Sequence, residues 1–147
     1  MQLTAHFTLE ELTASDTAAR RGLDNTPQPA IVENLHALAE VLEQVRAVLD
    51  RPMLISSGYR SPKVNTAVGS KPTSMHIQGL AADFICPQFG TPLEVAEEIA
   101  AAGIRFDQLI HEFGRWVHIG IRLPDEPWRG QLLTIDARGT RTGLQRV

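Results

Sequence analysis

One cysteine, Cys86, is the whole thiol content of this chain, so no intramolecular disulfide framework can hold the fold. It ends the apolar run Leu80 to Cys86, where a buried structural thiol is expected, and it is given no catalytic role. No stretch approaches the roughly 18 uninterrupted apolar residues of a helical membrane span. The start, Met1-Gln2-Leu3-Thr4-Ala5-His6, lacks both a basic segment and a continuous apolar segment, so no secretory signal is read and cytoplasmic accumulation on synthesis is expected. An excess of positive charge is missing too. With a net charge of -3 the chain has no broad basic field for nucleic acid, although Arg20-Arg21 and Arg138, Arg141 and Arg146 could form local patches. Internal repeats and low-complexity segments are absent.

What is present is enough material for a core. The 147 residues, 43% hydrophobic and 21% charged, predict one domain over 1-147, with its core at about 5-136 and a polar tail at 137-147. Thr8-Leu9-Glu10-Glu11 fits a capping box for a short helix ending near Thr13. A breaker-rich loop, 22-30, leads into the clearest helix, in which Ile31, Leu35, Leu38, Leu42, Val45 and Leu49 recur at three- and four-residue intervals until Arg51-Pro52 stops it. Strands are predicted at 53-57, 80-86, 108-112, 116-122 and 132-135, with helices opening at Ser61-Pro62 and Thr91-Pro92 and a loop over 69-75. Helices first and an antiparallel meander afterwards predict an α+β fold.

Three residues carry the chemistry. His76, Asp83 and His118 are two imidazoles and a carboxylate, a donor set suited to zinc that leaves a fourth position open, as catalytic sites do. A lone histidine in a strand is usually structural, and Asp83 could equally pair with an arginine. Strand alternation favours the sharper reading. Val117, Ile119 and Ile121 should face the core and turn His118 into a cleft, and a tight hairpin from the preceding strand could bring Glu112 beside it. Such a carboxylate can take a proton from water and return it to a leaving amine.

The segments Ser57-Gly58-Tyr59-Arg60-Ser61-Pro62, Asn65, Gly69, Ser74-Met75-His76-Ile77-Gln78-Gly79-Leu80-Ala81-Ala82-Asp83 and Trp116-Val117-His118 resemble the zinc D-Ala-D-Ala metallopeptidases. The resemblance spans about 5-122, and its fold is shared with vancomycin-resistance dipeptidases and the hedgehog signalling domain. It implies an antiparallel sheet with helices packed on one side and one zinc ion on His76, Asp83 and His118. It further implies Arg60 on the substrate and its developing oxyanion, with Ser74 and Trp116 lining the site. Two positions depart from the family pattern. Arg115 stands three residues before His118, where many relatives carry the catalytic acid, and a hedgehog-like arrangement six residues before it selects Glu112. Ser70 replaces a common second glycine.

The implied activity is zinc-dependent hydrolysis of peptidoglycan stem peptides or cross-links, of the D-alanine carboxypeptidase or endopeptidase type. A phage or prophage lysis enzyme, acting on the wall in the periplasm, is the favoured setting. The alternatives are an L-alanyl-D-glutamate endopeptidase on the same fold and a zinc-containing binding module without turnover. A monomer is favoured. Residues 87-91 and 123-131 are expected to contribute to the outer cleft.

Overall fold

A computed structural model describes residues 1-147. The elements are α1 (Leu9–Thr13), α2 (Asp16–Arg21), α3 (Pro29–Leu49), β1 (Leu54–Ser57), α4 (Pro62–Ala67), a 3₁₀ turn (Met75–Gln78), β2 (Ala81–Ile85), α5 (Pro92–Ala101), β3 (Gln108–Glu112), β4 (Trp116–Gly120), β5 (Gln131–Asp136) and β6 (Gly139–Thr142). Helix starts follow local chemistry. Thr91 and Glu94 close the reciprocal capping box of α5, whereas at α1 the Thr8 hydroxyl accepts from Glu11 N without the return bond. Pro29 occupies the first turn of α3, where no backbone donor is needed, so that helix begins before the Ile31 periodicity does.

The six strands form one sheet in the order β1-β2-β4-β3-β5-β6. Every neighbouring pair is antiparallel except β3 and β5, which run parallel. The fold is α+β as expected, but the sheet is mixed, because the 121-130 connection carries the chain past β3 before β5 begins. Three further elements depart from the sequence-based expectation. Ser15 caps α2 and Gly22 ends it in the left-handed conformation; between the expected loop and β2 the chain tightens into the 3₁₀ turn; and the polar tail holds β6, paired to β5. Arg138 and Arg141 ion-pair with Asp136 in this hairpin.

Alternation divides the sheet into two faces. Phe84, Leu109, Val117, Ile119 and Ile121 are buried with Leu35, Leu38, Leu42 and Val45 of α3 and Val95, Ala96 and Ile99 of α5 in one apolar cluster. Burying each such side chain contributes about 2 kcal/mol, so this face holds the domain together. His111 lies on it as well, satisfied by a hydrogen bond from Nδ1 to the Gln145 carbonyl at 2.9 Å. The opposite face carries Asp83, His118, Gln108, Ile110 and Glu112, and the 68-75 loop covers it to make a cleft.

Candidate metal centre

Register brings the first two chemical groups together. Asp83 on β2 is directly opposite His118 on β4, and His118 Nδ1 lies 2.8 Å from Asp83 Oδ1. His76 reaches the same point from the 3₁₀ turn, with Nε2 3.4 Å from Asp83 Oδ1. The turn is built for that aim. Ser74 Oγ accepts from His76 N at 3.2 Å to start it, and Gly79 ends it at φ +69, where a Cβ would come within 3.0 Å of Ile31. His76 Nδ1 donates to the Gly58 carbonyl at 2.7 Å, which leaves the Nε2 lone pair pointing at the cluster. Gly58 itself is pressed against α1, where a Cβ would sit 2.3 Å from Leu12 O, so no other residue fits there.

The ligating atoms of His76, Asp83 and His118 all lie within 4.8 Å of one another. The imidazoles meet edge-on with centroids 5.1 Å apart. A divalent cation suits this set: one nitrogen lone pair is already fixed, the carboxylate is at the centre, and the side chains are almost out of water. Electrostatics agree at Asp83 and His76. Burial works against an ionised Asp83, but hydrogen bonds from His118 and His76 outweigh it and hold the carboxyl far below its usual range. Burial lowers the His76 pKa and keeps that ring neutral, while for His118 the hydrogen bond and charge of Asp83 override burial and raise it.

Arg60 and Glu112 line the same cleft. Glu112 Oε1 stands 3.8 Å from His118 Nδ1, and burial followed by the Asp83 charge raises its pKa. Arg60 extends between the strands and the 68-75 loop, its terminal nitrogen 3.4 Å from Ser74 Oγ and 3.5 Å from Ser70 Oγ. Its backbone is held more firmly than its tip. Arg60 N donates to His76 O at 3.0 Å, and the Asn25 carboxamide bonds Tyr59 O and Ser61 N on either side, at 3.1 Å and 2.7 Å. Nε of Arg60 and Nε1 of Trp116 are buried without hydrogen-bond partners.

All seven residues singled out in the sequence therefore line one cleft: Arg60, Ser74, His76, Asp83, Glu112, Trp116 and His118. Arg115, at the position of the usual acid, is exposed on the hairpin turn. The outer cleft differs from expectation. At the His76, Asp83 and His118 cluster nothing from 87-91 or 123-131 lines it; Val68 to Lys71, Thr73, Ser74, Phe113 and Ile135 do, because β5 runs beside β3 and the long loop folds down over that cluster. Gln108, Asn25 and Phe113 were also missed. Asn25 sits in a breaker-rich loop and Gln108 in a strand, where residue type alone gives no signal. Phe113 takes φ +54 beside Gly114 at +65 to make the tight hairpin turn, and its ring tilts against Trp116 with centroids 5.6 Å apart.

Residues 5–120 match the profile of a family described as Peptidase M15. No curated protein matches the chain. The chain belongs to the peptidase M15 family, whose members are zinc-dependent peptidases.

Proposed function

We propose that this member of the peptidase M15 family hydrolyses peptide bonds of peptidoglycan, in stem peptides or their cross-links, with D-alanine on at least one side of the cleaved bond. The observation that carries the reading is the convergence of the His76, Asp83 and His118 ligand atoms within 4.8 Å in a cleft that also holds Glu112 and Arg60. His76, Asp83 and His118 would hold one zinc ion. When bound, it supplies Lewis-acid polarisation of the scissile carbonyl. Wall lysis, in the course of phage or prophage release, is the setting we favour.

The protein's own groups then divide the work. Glu112 takes the proton from the attacking water and returns it to the leaving amine. Its raised pKa, set by burial and the Asp83 charge, brings it closer to the range in which a base also serves as an acid. Arg60 offers a fixed positive charge to the oxygen on which negative charge develops, and Ser70 and Ser74 hold its tip. Trp116 walls the Glu112 end of the cleft. Glu112 replaces the usual acid because register places it opposite Trp116, whereas Arg115 points to solvent.

Digestion of purified murein by the full chain, with and without a chelator, followed by product masses, tests the reading. New D-alanine termini that appear only without chelator support it. Termini at L-alanyl-D-glutamate would instead indicate that endopeptidase activity. An unchanged murein with zinc bound would indicate a binding module.

A further inference from the structure

The cleft floor continues along β3 past the ligands to Gln108, which the reaction does not use. Gln108, Ile110 and Glu112 line the cleft in succession on one face of the strand. Ile110 is paired with His118, so Gln108 lies about 7 Å from that level, on the side away from Glu112. Here it is in register with Gln131 of β5, and its Nε2 donates to Gln131 Oε1 at 2.8 Å. Both side chains are half-buried.

That bond fixes both carboxamides and leaves the oxygen of one and the nitrogen of the other free. Oε1 of Gln108 and Nε2 of Gln131 have no partner in the protein, and neither is among the buried atoms lacking one, so both reach solvent. The result is an acceptor on the cleft floor beyond Ile110 and, beside it across the β3–β5 pair, a donor just outside the cleft lining. A peptide unit, with its N–H and C=O, satisfies both. A carboxylate offers only acceptors and an ammonium only donors, so each leaves one amide group unmatched.

We propose that Gln108 and Gln131 form a subsite that reads a main-chain amide of the substrate about two residues from the scissile bond, two residues of extended chain covering that ~7 Å. The inference rests on the peptidase reading above and adds a specificity element to it.

Synthetic stem peptides carrying one N-methyl amide at successive positions provide the test with the zinc-loaded full chain. In the wild type, methylation at a position about two residues from the cleaved bond should lower kcat/KM about five- to tenfold, as expected for one lost hydrogen bond. Gln108→Met and Gln131→Met should each cleave the unmodified peptide more slowly than the wild type, and in Gln108→Met, which lacks the acceptor for that N–H, the same methyl group should slow cleavage no further, while zinc content and thermal midpoint stay as in the wild type. Two results overturn the subsite: a methylation penalty undiminished in Gln108→Met, or variants that cleave the unmodified peptide as fast as the wild type. The pair would then be only a bridge between strands. A wild-type chain that binds zinc and cleaves none of the peptides removes the peptidase reading itself, and the subsite with it.

Discussion

Asp83 and Asp107 are two aspartates of the same sheet, both largely withdrawn from water, and they differ in the company they keep. Asp107, just before β3, receives Arg129 Nε at 3.0 Å, its terminal nitrogen at 2.8 Å and the Arg129 backbone N–H at 3.0 Å, and the Arg122 guanidinium forms an ion pair with it at 3.2 Å. Its partners are cations at every accessible pH, so the site is closed. Asp83 faces two imidazoles, which can shed protons and offer lone pairs, and it lies in an open cleft. A buried carboxylate is therefore not by itself a sign of function. Partners that can exchange a proton for a metal are what distinguish the two.

The comparison breaks most sharply at His118. His118→Ala removes one of the three proposed ligands from the open site and leaves the closed one intact, so bound zinc should fall from one per chain to nearly none and murein hydrolysis should drop at least ~10³-fold, about 4 kcal/mol of barrier. Elemental analysis with a thermal melt checks both halves; full zinc content would remove the metal assignment. Glu112→Gln separates binding from chemistry. Zinc should stay and kcat fall by about 10²- to 10⁴-fold, the usual contribution of a general base. Full activity on murein would put the base elsewhere.

At the closed site the losses should appear in stability. Asp107→Ala should cost about 2 to 3 kcal/mol in urea unfolding, below the larger penalties for fully buried pairs because Arg129 can return to water, and the zinc content should not change. The same interaction makes a pH prediction. Burial would raise the Asp107 pKa, but the hydrogen bonds from Arg129 and Arg122 prevail and hold it at about 2, against 3.8 for the free group. A depressed pKa in the folded state means stability that is fully present above pH ~4 and lost as pH falls toward 2, about 2 kcal/mol in all. The stability gap between wild type and Asp107→Asn should therefore shrink through that window. A gap unchanged down to pH 2 would show that the ion pair contributes nothing.

The sequence showed one of these two sites and hid the other. The convergence of His76, Asp83 and His118 was legible because metal-binding residue types coincide with strand alternation, and the approach of Glu112 because a hairpin fixes its register to Trp116. The arginine partners that residue type alone would allow Asp83 belong instead to Asp107. Nothing local indicates this, since Arg122 and Arg129 lie 15 and 22 residues further on and meet Asp107 only after β4 has returned along β3. The parallel β3–β5 pairing was hidden for the same reason: a loop's composition does not say on which side of the sheet it lands. The tail strand β6 went unread because its four residues, Gly139 to Thr142, lack apolar alternation and are held by pairing with β5.

The finest version of the comparison asks whether Asp107 needs a positive charge or the planar fork that carries it. Arg129→Lys keeps the charge but loses the paired geometry, in which Nε and a terminal nitrogen meet the two carboxylate oxygens separately. The Arg129 backbone N–H and Arg122 remain in place, so the carboxylate stays partnered. The expected loss is therefore only about 1 kcal/mol of stability in urea unfolding, one charge-assisted hydrogen bond rather than the whole cluster. A loss equal to that of Asp107→Ala would mean that the fork alone closes this site. No loss would mean that charge suffices there, and that shape matters less at Asp107 than at the ligand cluster around Asp83.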